Sequence, residues 1–186
     1  MAAKIERLMT VDDLDAMPED GNRYEIIEGE LFVSRAPGLP HQLVTANIIG
    51  CFLRYLENNP IGRIVPTPGL ILSRYSGVIP DLVFYSHDRG DEIIWNERLN
   101  AAPEIVIEIL SPGRESIARD RVAKRKLYDK HHVKEYWIVD NENRSVEVYH
   151  LVNQSLELHA TLRNNDEVTS PVLPGFSCPL AKIFET

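Results

Sequence analysis

The run Glu104-Ile105-Val106-Ile107-Glu108-Ile109-Leu110 constrains this chain more than any other feature. It is nearly all apolar and rich in β-branched residues, as a buried central strand must be. Pro103 introduces it and Ser111-Pro112-Gly113 breaks it. A carboxylate at its middle, Glu108, is costly unless something nearby compensates it.

The rest of the chain supplies partners for such a strand. Thr10-Val11-Asp12-Asp13 fits a capping box opening a short helix that Pro18 ends. Tyr24–Ile27, Glu28-Gly29 and Glu30–Val33 read as a hairpin with a two-residue turn. Leu43, Val44, Asn47, Ile48, Cys51, Leu53 and Tyr55 give residues 41–58 helical spacing, stopped by Asn58-Asn59-Pro60. Strands follow at about 63–73 and 79–86. After the Glu108 strand come a helix at about 115–131, a strand at 134–140, a hairpin partner at 145–151 and a further strand near 154–160. The tail, with Pro171, Pro174 and Pro179, reads as mostly loop. This order predicts an α/β fold, a mixed β-sheet flanked by helices. The 186 residues suit one domain, 1–186.

Three positions do not fit a purely structural reading. Asp81 follows Pro80 at the head of the strand carrying Leu82, Val83 and Phe84, 27 residues before Glu108. That separation lets the two strands be neighbours, joined by the 87–102 excursion. Two carboxylates brought together repel, and a hard divalent cation with oxygen ligands relieves the repulsion. On a wheel at about 100° per residue, Ile117, Asp120, Arg121, Lys124, Leu127, Tyr128 and His131 share the stripe that should face the sheet. Arg119, Val122, Lys126 and Ala118 fall elsewhere on that wheel. Lys124 therefore points toward Glu108 and Asp81, and two accounts fit it: a catalytic cation, or the partner in a buried ion pair. The set suits phosphodiester hydrolysis. Asp81, Glu108 and a backbone carbonyl, that of Ile109, would hold Mg²⁺ (or Mn²⁺) at about 2.1 Å with several waters. The metal would activate a water, and Lys124 would orient it or stabilise the developing charge.

These residues resemble the PD-(D/E)XK restriction-endonuclease-like superfamily, through Pro80-Asp81 and Glu108-Ile109-Leu110. Leu110 stands where the motif usually has Lys. The closer resemblance is to a bacterial family of endonucleases, the Uma-two family, over roughly residues 20–183. It rests on Arg23–Glu30, His41, Pro80-Asp81, Glu108–Pro112, Asp120 with Lys124 and Tyr128, Val133 with Glu135–Asp140, and Leu173–Phe176. The resemblance implies a restriction-endonuclease-like fold, a magnesium-dependent endonuclease acting on DNA, and a catalytic lysine moved onto the helix after the Glu strand, at Lys124. It also matches Glu25 to the family's early acidic residue.

Other positions carry more than one reading. Glu25 is either an edge-face charge or a site acid. His41, opening a helix, fits capping or packing better than a phosphate contact. Tyr128, Tyr136 and Trp137 fit the core better than a stacking platform. Adjacent His131 and His132 splay onto different faces and do not suit zinc. Ser73 and Ser111 lack a nucleophile-elbow context, and no glycine loop cradles a phosphate.

Net charge is −8, which by itself argues against a nucleic-acid partner. Residues 114–134, however, hold eight Lys/Arg against three acids, a net +5 that leaves −13 elsewhere. A basic stripe for DNA is one reading of that run, and a solvated helix face, favoured from charge alone, is the other. Cys51 and Cys178 lie far apart and form no C-x-x-C pair, so neither a disulfide nor a zinc site is expected and a reducing, cytoplasmic compartment fits. No signal-peptide core or membrane-spanning stretch is present, so no membrane partner is expected. A homodimer would suit two-stranded cleavage, and specificity would come from a separate partner if at all, since no recognition domain is evident. A nuclease fold without turnover, serving nucleic-acid binding, structure or oligomerisation, is the alternative.

Overall fold

A computed structural model describes residues 7–111 and 118–185. The Pro112-Gly113 breaker, Arg114, the expected helix start at 115 and Ile117 lie outside them. Asp13 accepts from the Thr10 N–H (2.7 Å) and hydroxyl (2.9 Å), forming the capping box that opens α1 (Val11–Leu14). β1 (Asn22–Ile27) and β2 (Glu30–Arg35) form the expected hairpin in the register Ile27↔Glu30. Its turn residues, Glu28 and Gly29, have φ of 52° and 85°, the pair of positive values a type I′ turn requires. Side chains are excluded at Gly29, where a Cβ would come within 2.8 Å of Leu8.

Helix α2 (Leu39–Leu56) buries His41, Val44, Thr45, Ile48, Cys51 and Phe52 along one stripe. The stretch 63–73, expected as one strand, is two. β3 (Gly62–Pro66) ends at Thr67, whose φ is 46°, and β4 (Leu70–Ser73) begins three residues later in a different sheet. β5 (Ser76–Val78) stays with β4, and the chain crosses back through residues 79–81 to β6 (Leu82–Ser86). The 87–102 excursion contains α3 (His87–Ile93), β7 (Ile94–Trp95) and β8 (Arg98–Leu99). Then come β9 (Ile105–Ile109), buried at all five positions, and α4, which runs as a π-turn over Arg119–Lys124 and continues as α-helix over Arg125–Lys130. β10 (Glu135–Asp140), β11 (Ser145–Val152) and β12 (Ser155–Arg163) follow.

Two six-stranded mixed sheets result, rather than one, ordered β2-β1-β5-β4-β8-β7 and β12-β11-β10-β9-β6-β3. In the second, β9 runs parallel to β10 and antiparallel to β6, with α4 making the crossover a parallel pair needs. Strand alternation sorts its residues. Ile105, Ile107 and Ile109 join the core under α2, whereas Val106 and Leu110 pack on the other face with Leu127, Tyr128 and Val83. Glu108 follows Val106 by two residues, which turns it toward α4.

The tail is more ordered than a loop. β13 (Glu167–Thr169) pairs with β14 (Ser177–Pro179), and α5 (Leu180–Ile183) follows. Phe176 packs on Phe52 of α2 with ring centroids 4.8 Å apart. The same α2–tail packing corrects the expectation for the cysteines. It brings Cys51 and Cys178, 127 residues apart in sequence, to a Cα separation of 5.7 Å, where they are joined in a disulfide. Among the described residues no helix is long and apolar enough to cross a membrane.

Candidate active site

A cavity of about 330 Å³ opens where the two sheets meet. The crossover at 79–81 builds that seam. The Ile79 N–H donates to Glu25 Oε1 on β1 (2.8 Å), and two residues later Asp81 reaches the end of β6. The β6–β9 ladder pairs Leu82 with Ile107, and one further step sets Asp81 opposite Glu108. Asp81 Oδ2 accepts the Ile109 N–H (2.9 Å) and lies 3.0 Å from His41 Nε2. An extended residue points its N–H and C=O to the same flank, so the Ile109 carbonyl also faces the Asp81 side of β9.

Lys124 stands among the carboxylates. Its Nζ donates to Glu108 Oε1 at 2.9 Å, pairs with Glu25 Oε1 at 2.9 Å and lies 3.9 Å from Asp120 Oδ1. The Tyr128 hydroxyl donates to the same Glu108 oxygen at 2.7 Å. Glu108 Oε2 has no hydrogen-bond partner among the described residues. Every member of the expected constellation is therefore in one place: Asp81, Glu108, Lys124 and Glu25, with His41, Asp120 and Tyr128 around them. Glu25 is a buried acid rather than an edge-face charge, and His41, inside α2 rather than at its cap, contacts Asp81. Tyr128 fills the core and touches the site together.

Three arginines that the sequence reading did not select, Arg23, Arg35 and Arg119, also line the cavity. Arg23, two residues before Glu25 on β1, places Nη1 3.4 Å from Asp81 Oδ1. Arg119 donates from Nε to Asp120 Oδ1 (3.0 Å) and holds Nη1 3.7 Å from Glu25 Oε2. The α-helical wheel put Arg119 on another face because, at about 100° per residue, positions five apart diverge by about 140°. In a π-turn the hydrogen bonds link residues five apart, drawing Arg119 and Lys124 onto one face.

Charge follows burial here. Burial lifts the Glu108 carboxyl to about 8, against the pull of Lys124 and with the repulsion of Asp81, Asp120 and Glu25 behind it. Burial also raises Asp120, against Lys124 and Arg119. Burial disfavours the Lys124 ammonium, but Glu108, Glu25 and Asp120 outweigh it and hold the group above the usual lysine range. Asp81 is lowered despite its burial, by the His41 contact and the Ile109 N–H.

The basic run on α4 and beyond is largely neutralised. Arg121 pairs with Glu147 and with Asp140 (3.4 Å), Lys130 with Glu28 (2.9 Å) and Lys134 with Glu104 (3.7 Å). Arg125 lies over the Tyr149 ring at 5.5 Å. Among the described residues no group of three or more His, Cys, Asp and Glu side chains is gathered as a metal cluster, the ammonium of Lys124 standing between Glu25 and Glu108.

None of the curated proteins matches the chain. Among solved structures, the crystal structure of a protein from Anabaena variabilis described as a "putative nuclease belonging to DUF820" shares the fold. It is similar with a TM-score of 0.75 and 20% identity, over 95% of this chain and 97% of that one. The family model described as "Putative restriction endonuclease" matches residues 11–181, and the chain therefore belongs to that family, Uma2.

Proposed function

We propose that the chain is a divalent-metal-dependent endonuclease that hydrolyses phosphodiester bonds of DNA. The observation that carries this reading is the placement of Asp81 opposite Glu108 with the Lys124 ammonium in the same cavity. The donor set fits Mg²⁺ or Mn²⁺: it is all oxygen, and Mg²⁺ is commonly held by one or two carboxylates with waters completing its shell. Asp81, Glu108 Oε2 and the Ile109 carbonyl would hold the ion. When bound, it would lower the pKa of a coordinated water and offset charge on the scissile phosphate.

The chain's own residues prepare that chemistry. The Ile109 N–H and His41 fix the Asp81 carboxylate, and Tyr128 fixes Glu108 through Oε1, leaving Oε2 toward the cavity. Lys124, held protonated by its carboxylates, does not act as the base. It supplies positive charge that orients the attacking water or stabilises the pentavalent phosphorus as the bond to the leaving sugar oxygen breaks. Glu25 and Asp120 hold Lys124 in position.

A second reading is favoured by the same contacts: Lys124 locked between Glu25 and Glu108 suits a nuclease fold without turnover, retained for binding or structure. Calorimetric titration of Mn²⁺ into wild type and into the Asp81→Asn/Glu108→Gln double variant separates the two. One-site heat that vanishes in the variant, with Mn²⁺-dependent nicking of plasmid DNA by wild type, supports the nuclease. Absence of binding to either protein supports the inactive fold.

A further inference from the structure

We infer that Arg23 and Arg119 form a two-arginine phosphate clamp, so that the substrate is a nucleic-acid backbone held through one or two phosphates at the cavity rather than a duplex tracked along a basic face. This rests on the nuclease reading of the same site.

The charge distribution leads to it. A chain of net charge −8 needs concentrated positive charge to hold a polyanion. The basic run 114–134 looked like that concentration, but Arg121, Lys130 and Lys134 face acids outside the cavity and Lys124 is sealed among carboxylates. Of the three arginines lining the cavity, Arg35 sits at the exposed end of β2, whereas Arg23 and Arg119 stand beside Asp81 and Glu25 and still keep solvent access, with side chains 25% and 12% exposed.

Their contacts are loose as well. Charge-assisted bonds between N–H and carboxylate usually run about 2.7–2.9 Å. Arg23 reaches Asp81 at 3.4 Å, and the Arg119 Nη1 stands 3.7 Å from Glu25. Arg119 is anchored instead through Nε on Asp120, which aims the planar fork, and among the described residues its Nη groups donate no hydrogen bond. Arg23, on β1, stands beside Asp81, and Arg119, on α4, stands beside Glu25. A phosphate entering between them would meet both forks, together with the Lys124 charge, over a floor of carboxylates that would otherwise repel it. Arginine suits this position because its fork matches two phosphate oxygens at once.

Fluorescence anisotropy tests the clamp, using fluorescein-labelled oligothymidylates of 6 and 24 nucleotides and a 24-base-pair duplex, in Ca²⁺ to suppress turnover. The clamp predicts that the 6-mer binds within a few-fold of the 24-mer, and that log Kd against log salt has a slope of about 2 or less. Arg23→Ala and Arg119→Ala each weaken binding about tenfold and lower that slope by about one. Arg119→Lys, which keeps a partner for Asp120, weakens binding less and leaves the slope unchanged. Lys126→Ala and Lys130→Ala, on the outer helix face, leave both unchanged. Affinity that climbs with length, a slope of about 5 or steeper, or sensitivity to the Lys126 and Lys130 variants overturns the clamp. The nuclease reading fails separately, by the absence of Mn²⁺ heat in the wild-type protein. Unaltered nucleic-acid binding by both arginine variants, with that heat intact, removes the clamp and leaves the nuclease standing.

Discussion

Two glutamates are buried in neighbouring central strands, and their surroundings could hardly differ more. Glu135, on β10, faces the α2 side of the sheet with Trp137 and Val139. Ser170 and the Val172 N–H (3.2 Å) donate to its Oε1, and Trp137 Nε1 (2.9 Å) donates to its Oε2. Glu108, on β9, faces α4. Among the described residues only one of its oxygens has partners, Lys124 and Tyr128, and two more carboxylates, Glu25 and Asp81, line the same cavity. Glu135 is closed with neutral donors on both sides and holds the tail against the sheet. Glu108 is left short of positive charge and open on one side. Burial of a carboxylate marks neither role by itself. What separates them is whether the second oxygen is finished.

Breaking the Glu108 side should give the largest effect. Lys124→Ala leaves Glu108 and Glu25 facing one another without their ammonium and should lose about 3–5 kcal/mol in urea unfolding. Adding Glu108→Gln to that variant should recover about 1–3 kcal/mol, and no recovery would show that the pair is not coupled. Glu135→Ala should lose about 2–3 kcal/mol by orphaning the donors of Ser170, Trp137 and Val172, while Mn²⁺ titration stays as in wild type. Altered Mn²⁺ heat in that variant would erase the distinction drawn between the two glutamates.

Proton binding sharpens the comparison. The Glu108 pKa is raised from 4.5 to about 8, so between those values the folded chain holds a proton that the unfolded chain releases. Stability should therefore fall as pH rises through that window, and Glu108→Gln should flatten the melting-temperature profile. Glu135 is raised in the same direction by burial, so its Gln variant flattens the profile too, with its three donors moderating the effect. Asp81 is lowered, and its contribution is lost only on the acid side as pH falls through its folded pKa. Binding of Mn²⁺ should strengthen with pH up to about 8, by at most about tenfold per unit, as Glu108 gives up its proton. The smallest effect is expected for Tyr128→Phe. It removes one donor from Glu108 Oε1, for about 1 kcal/mol in stability and a few-fold weaker Mn²⁺ binding by calorimetry.

What the sequence revealed depended on how local the cause was. The Glu28-Gly29 turn, the β9 run and the inward positions Asp120, Lys124, Leu127 and Tyr128 of α4 follow from rules operating over a few residues, and each stands in the structure, whereas Arg121 of the same stripe turns to Asp140 and Glu147. Asp81 and Glu108 were legible because charges among apolar neighbours need a reason. Glu135 carries the same signal at a strand end, and only the fold shows that Ser170 and Val172, some 35 residues on, answer it. Arg119 was hidden by the π-turn, since a wheel drawn at the α-helical period assigns it to the wrong face. The break inside 63–73 had a signal in Pro66-Thr67-Pro68-Gly69, but sending β3 and β4 to different sheets is a tertiary outcome. Cys51 and Cys178 meet because Phe52 packs on Phe176, a contact that no spacing rule foretells.

The seam between the sheets has a consequence for timing. Glu25 and Lys124 are 99 residues apart, and Asp81 arrives only when the chain has left one sheet and returned to the other. Contacts so distant in sequence are late to form, because the intervening loops must close first. A half-made or misfolded chain therefore carries the acids, the lysine and the arginines but no assembled pocket. Whatever chemistry the seam performs is withheld until folding is finished.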